Sequence, residues 1–233
     1  MTMTKKLLAV DTATESCGVA VIAEGRIQAE LILNHGETHT KHILSAIDAV
    51  LGLVGTVMTE IDAFAVARGP GSFTGLRIGI STMKGLALAT GKPIIGISSL
   101  EVLAHQAGGP SNLVCPVIDA RRKELYWRLY RRNGDTLAPM ASEQVGSVDQ
   151  LAAQIDEACM FIGNVASPYR SQILDLVKHE IHWAPPRDDV IRPAVLAQLA
   201  WHRYQLGRMD DVGTFVPVYI RKSDAERMRK GSV

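Results

Sequence analysis

The sequence predicts an α/β protein of two similar lobes, each built on a mixed sheet. Three observations carry that reading. Short apolar runs and longer segments of helical spacing follow the order β-β-β-α-β-α, and the same order returns in the second half without identity between the halves. The most apolar runs stop abruptly at Asp or at Gly-Pro turns, as buried strands entering loops do. The 233 residues are 47% apolar and 21% charged, which allows one large domain or two of about 100–130 residues.

Residues 7–10 form a short apolar run that Asp11 ends, and 18–23 and 27–33 follow across a Glu24-Gly25-Arg26 turn. These read as a strand, its hairpin partner and a third strand. Within 40–54, Ile43, Leu44, Ile47, Val50, Leu51 and Val54 recur at helical spacing, with Thr38 or Thr40 available as cap. Residues 63–67 are a buried strand entering Arg68-Gly69-Pro70-Gly71. A helix over 72–89 is capped by Ser72 and stopped by Gly91 and Pro93. A strand at 93–97 completes the first half.

The second half repeats this more weakly. It has a short helix at 100–106, a strand at 113–118, an alternating strand at 124–130 and a looser third strand over 136–145. A helix at 148–158, a strand at 159–162 and helices at 169–179 and 193–206 follow. The expected division is a first lobe over 1–100 and an abbreviated second lobe over 101–220. The basic stretch 221–233 reads as a solvated, mobile tail.

Twenty glycines and 10 prolines exclude collagen-like and disordered classes. With 25 Lys+Arg against 24 Asp+Glu, the chain lacks the basic character of a free-standing nucleic-acid binder. At 5%, aromatics are too few for a base-stacking platform. Cys17, Cys115 and Cys159 are scattered, odd in number and without a CxxC, which suits neither a disulfide framework nor a zinc site. The run at 7–10 is too short for a signal-peptide core and nothing approaches the ~18 apolar residues of a membrane span. A cytoplasmic place, away from membranes, is expected.

Four segments carry possible chemistry, and each has a structural reading beside it. The turn Asp11-Thr12-Ala13-Thr14 could present hydroxyls and N–H groups to phosphate with Asp11 on a metal, or could satisfy only its own backbone. The loop around Gly69, Gly71, Ser72 and Thr74 feeds a helix N-terminus that favours an anion, yet it matches no phosphate-loop or dinucleotide fingerprint. Gly75, Gly79 and Gly85 let another element approach that helix closely, as a subunit contact would. His35, His39 and His42 invite a metal but sit in a strand-to-helix loop, without HExxH order. Arg121-Arg122-Lys123 form a charged hairpin tip, either solvated or touching a nucleotide, RNA phosphate or partner protein. No GxSxG elbow or paired-carboxylate signature is visible.

Taken together, Asp11-Thr12-Ala13-Thr14, the string from Arg68 to Gly79 (RGPGSFTGLRIG), Asp119-Ala120-Arg121-Arg122 and Pro217-Val218-Tyr219-Ile220-Arg221 resemble the bacterial TsaB (YeaZ) family over nearly the whole chain. The resemblance implies an actin/Hsp70/sugar-kinase-like (ribonuclease H-like) fold of duplicated lobes. It also implies an accessory subunit for threonylcarbamoyl transfer to the adenosine next to the anticodon of tRNAs reading ANN codons. The family's catalytic paralogue TsaD holds a metal on an HxExH-type motif. At the corresponding place here stand Ser99 and Leu103, so the resemblance implies no catalytic residue and no metal.

The expectation is a scaffold that binds TsaD together with the ATPase TsaE, self-associates when alone, and meets tRNA only through the complex. Its interface would lie on the two first-lobe helices, at Phe73, Gly75, Leu76, Arg77, Gly79, Ile80 and Met83. No cofactor is expected beyond ATP or ADP at a subunit interface, with Asp11, Thr12, Gly69, Gly71, Ser72 and Thr74 as the phosphate candidates. The competing reading is a stand-alone ATP-dependent phosphotransferase or metallopeptidase of the same fold.

Overall fold

A computed structural model describes residues 4–34, 39–165 and 167–220, with side chains left aside at 39–41 and 167. His35 and the tail expected at 221–233 lie outside the described residues.

The first sheet begins as a meander of β1 (Lys6–Asp11), β2 (Cys17–Ala23) and β3 (Arg26–Leu33). Its second hairpin turns at Glu24 and Gly25, both at positive φ (46° and 75°), a turn whose twist matches that of the flanking strands. Helix α1 (His39–Leu53) leads to β4 (Ala63–Ala67), and α2 (Phe73–Thr90) to β5 (Ile94–Ile97). The strand order is β3-β2-β1-β4-β5, with β1, β4 and β5 parallel.

These strands read as continuous apolar runs because both faces are covered. Alternation then sorts their side chains between two layers. Leu8, Val10, Phe64 and Val66 pack with Ile43, Ile47 and Val50 of α1 and Ile80 and Met83 of α2. Leu7, Ala9, Ala63 and Ala65 face the opposite layer.

Ser98 caps α3 (Ser99–Gln106), which leads into β6 (Leu113–Asp119), the central strand of the second sheet. The strand expected at 124–130 is two strands, β7 (Leu125–Trp127) and β8 (Tyr130–Asn133). Strand β8 pairs with β6 at Leu113–Val114 and β7 pairs with it at Val117–Asp119. The change of partner brackets Pro116, which has no N–H to give to a ladder. The third strand likewise divides into β9 (Thr136–Pro139) and β10 (Gln144–Gly146). A short α4 (Val148–Ala152), closed by a Ser147/Gln150 capping box, precedes β11 (Cys159–Ile162). Helix α5 (Ser167–Leu176) and β12 (Ile181–Trp183) follow, and β6, β11 and β12 run parallel. A three-residue strand such as β12 is too short to show alternation in sequence.

Each sheet thus joins an antiparallel meander to a parallel set, as the fold class expected. The last helix, α6 (Pro193–Gln205), departs from the sequence reading. Although it lies within 101–220, it packs on the first sheet: Leu196, Ala197 and Ala200 join the layer of Ala9 and Ala65. Polar contacts near both of its ends fix it there. Glu30 of β3 accepts from Arg192 Nε at 3.0 Å to each carboxylate oxygen and from the Ala194 N–H at 3.0 Å. Near the other end, Arg203 reaches Glu101 at 2.7 Å and the Gly96 carbonyl at 2.8 Å. Gly18 lets the start of α6 sit against β2, since a Cβ there would lie 2.9 Å from Pro193 Cγ.

Candidate functional site

The parallel strands β1, β4 and β5 end together, and α/β folds commonly hold ligands beyond such ends. Here lie Asp11, Thr12, the Gly69–Ser72 loop and Ser99. The sequence-chosen residues do meet, but they bind one another. Thr12 donates its hydroxyl to the Gly75 carbonyl at 2.8 Å, and the Ser72 N–H donates to the Ala13 carbonyl at 2.7 Å. Ser72 Oγ caps α2 by accepting from the Gly75 N–H at 3.2 Å. A Cβ on Gly71 would stand 2.3 Å from the Ala13 carbonyl oxygen. Gly69, at φ 112° before the cis peptide to Pro70, faces Val218 in the same way, and its carbonyl accepts from the Ser99 N–H. The glycines of this loop allow close approach of the chain to itself, which is the structural reading set beside the phosphate one. Thr74 points outward and is exposed.

Asp11 is the chemical anomaly of this region. It is wholly buried; Oδ1 accepts from the Ala13 N–H at 3.1 Å and Oδ2 has no partner among the described residues. Burial pushes its carboxyl up to about 7, against the opposing pull of the Ala13 N–H. A carboxylate so enclosed contributes a buried polar group to the turn rather than an exposed ligand for an ion. Ser99, at the place of a histidine in TsaD by the resemblance, is also fully buried, with no partner for its hydroxyl among the described residues; Leu103 is buried beside it in α3. Among the described residues, no three His, Cys, Asp or Glu side chains gather as a metal would require. The three cysteines are buried and free.

The interface residues chosen from sequence separate into two groups. Gly75, Leu76, Gly79, Ile80 and Met83 are buried against the protein's own sheet and turn. Gly79 in particular faces Thr12, whose Oγ1 would be 2.3 Å from an added Cβ. Phe73 and Arg77 are on the outer face, with Phe73 41% exposed. Arg77 stacks 4.0 Å over the Phe73 ring and donates from Nε to the Tyr219 hydroxyl at 3.1 Å. Tyr219 in turn packs on Phe73 at 5.1 Å.

That outer face also holds residues the sequence reading missed. On α1, Leu44 and Leu53 are exposed, Leu53 at 77%; on α2, Leu88 is 66% exposed. Leu44 belongs to the helical repeat read from sequence, next to core residue Ile43, whereas Leu53 and Leu88 belong to no sequence candidate. Gly85 lies on the same outer side, with open space where a Cβ would be. Helices α1 and α2 lie on one face of the first sheet, so these apolar side chains look away from it together. No helix among the described residues is long and apolar enough to cross a membrane.

Comparison with known proteins bears on this arrangement. The model of the family "TsaD: tRNA N6-adenosine threonylcarbamoyltransferase" matches residues 34–227. The chain is 30% identical over 223 residues to the tRNA threonylcarbamoyladenosine biosynthesis protein TsaB of Bacillus subtilis, spanning 94% of this chain and 96% of that one. It is 45% identical to the Escherichia coli protein of the same name over 130 residues, 55% of this chain and 56% of that relative's length. Among solved structures, YeaZ from Pseudomonas aeruginosa superposes with a TM-score of 0.79 at 28% identity, covering 92% of this chain and 99% of that one. Component A of the (R)-2-hydroxyglutaryl-CoA dehydratase from Acidaminococcus fermentans superposes at 0.50 with 12% identity over 84% of this chain and 97% of that one, a likeness of fold alone.

Proposed function

The chain belongs to the TsaB (YeaZ) family, and on that premise we propose that it is a non-catalytic accessory subunit in tRNA threonylcarbamoyladenosine biosynthesis. It binds the catalytic TsaD subunit through the outer face of α1 and α2, with the ATPase TsaE acting on the same assembly. The observation that carries this reading is the group of exposed apolar side chains there: Leu44, Leu53, Phe73 and Leu88. Exposed large apolar groups collected on one face mark interaction surfaces. A paralogous partner shares the fold and offers a similar face, so two copies of this chain associate the same way when TsaD is absent. Supporting the non-catalytic part, the strand-end turn that would hold phosphate is closed by the chain's own hydrogen bonds. Nucleotide, if the assembly uses one, belongs at the interface between subunits.

The test is reconstitution of tRNA modification with TsaD and TsaE. Leu53→Arg with Leu88→Arg places two charges in the proposed contact and weakens TsaD binding by tenfold or more, about 1.4 kcal/mol or greater. The isolated variant keeps its thermal midpoint, because both positions are exposed. Modification is lost with that variant and kept with Asp11→Ala. Undiminished TsaD binding by the double variant overturns the interface. Modification that proceeds without this chain overturns the function.

A further inference from the structure

The hairpin tip between β6 and β7 has a backbone that its sequence should resist. Arg121, Arg122 and Lys123 all lie at positive φ (62°, 56° and 63°), three consecutive non-glycine residues in the left-handed region. Each such residue carries a steric cost that glycine or asparagine would largely avoid. The surroundings hold the turn in place. Asp119 Oδ1 accepts the Arg121 N–H at 2.7 Å, the Ala120 N–H donates to the Glu124 carbonyl at 3.0 Å, and the Glu124 N–H donates to the Arg121 carbonyl at 3.1 Å. Tyr169 of α5 braces it further through Asp119 and the Lys123 backbone. A turn this well determined could have been built from small residues. The cations there answer to something other than the backbone.

All three are exposed. The tight left-handed turn gathers three long cations at one point, with Asp119 accepting the Arg121 N–H and its Oδ2 lying 3.8 Å from the Arg121 guanidinium. Arg121 reaches Glu15 on the β1–β2 turn at 3.3 Å, with both side chains mostly in solvent. Such a pair is worth little and a phosphate group can displace it. The tip therefore stands beside the β1–β2 turn, at the end of β1 and of β6. Guanidinium forks suit phosphate oxygens in a way that single ammonium charges do not.

We propose that Arg121, Arg122 and Lys123 form a contact to the phosphodiester backbone of the tRNA within the assembled complex. The proposal rests on the accessory-subunit reading. Three cations on a chain of net charge +1 cannot hold RNA alone, and they add to a surface that the partner supplies.

The test uses the full complex of this chain with TsaD, and an unmodified tRNA transcript titrated across salt concentrations. Arg122→Asn with Lys123→Gly keeps a left-handed turn while removing two charges. Expected are an affinity loss of about five- to tenfold near physiological salt and a log–log salt slope shallower by about 1.5–2. Relief of the backbone raises the thermal midpoint by about 2–4 °C. Stability and RNA affinity thus move in opposite directions, which a merely structural turn would not produce. An unchanged salt slope in an intact complex overturns this inference alone. Loss of TsaD binding by the variant also overturns it, and assigns the tip to a protein contact instead. A wild-type chain that fails to assemble with TsaD overturns the accessory-subunit reading itself, and this inference with it.

Discussion

Substituting Gly79 by alanine tests whether α2 is seated on the β1–β2 turn or held open for a partner. The added Cβ would stand 2.3 Å from Thr12 Oγ1, well inside the 3.0 Å that real Cβ contacts keep. Thr12 is buried, its β-branched side chain is short, and its hydroxyl is committed to the Gly75 carbonyl at 2.8 Å. Either that bond breaks or α2 lifts. Overpacking costs about 1–3 kcal/mol and the lost buried hydrogen bond about 1 more, while alanine returns about 1 through helix propensity. The net is a destabilisation of about 1–3 kcal/mol, a fall in midpoint of about 3–10 °C for a chain of this length. Gly85→Ala on the same helix meets open space and should instead stabilise by about 0.5–1 kcal/mol. Urea unfolding of both variants, with Thr12→Ala alone and combined with Gly79→Ala, supplies the assay. Thr12→Ala should recover at least about 1 kcal/mol in the Gly79→Ala background relative to its effect in the wild type. A Gly79→Ala protein as stable as Gly85→Ala, or independent effects of the two substitutions, would refute the packing argument.

Two further outcomes follow from the same geometry. Glu30→Ala removes the acceptor that ties Arg192 and the Ala194 N–H to β3, and should lower stability by about 2 kcal/mol, or about 4–8 °C in midpoint. Glu30→Gln should lose roughly half as much, and equal midpoints for the wild type and Glu30→Ala would remove α6 docking from the account. Asp11 has a folded-state carboxyl raised from 3.8 to about 7, so the native state holds its proton more tightly than the unfolded chain. Its contribution is therefore favourable at low pH and is lost as pH rises from about 4 to 7, by at most about 4 kcal/mol. Asp11→Asn lacks that loss, so denaturant curves of wild type and variant should diverge between pH 5 and pH 8, with the variant gaining. Parallel pH profiles would mean that Asp11 stays ionised in the fold.

Much of the first lobe was legible in sequence because its signals are local. Asp11 ending an apolar run, Ser72 before a helical period and Gly91 after it mark boundaries through their own backbone and capping chemistry. The second lobe was less legible where strand identity depends on a neighbour. Residues 124–130 alternate as one strand would, yet β6 changes partners around Pro116, and no pattern within 124–130 records that. The site followed the same division. Asp11, Thr12, Gly71 and Ser72 lie together because they end adjacent elements, while an N–H facing a phosphate and one facing the Ala13 carbonyl belong to the same residue types, so the pattern does not separate them.

Fold class, the doubled order of strands and helices, and family are all legible along the chain, since periodicity, caps and an extended specific string are properties of sequence neighbours. Which face of α2 is buried emerges in three dimensions alone, because Leu76, Ile80 and Met83 and the outward Phe73 and Leu88 are all apolar. The tertiary structure also decided that α6 serves the first sheet, through a pairing of Glu30 with Arg192 that joins residues far apart in sequence. And it showed that the basic tip at Arg121–Lys123 carries a left-handed backbone, held by its hydrogen bonds with Asp119 and Glu124.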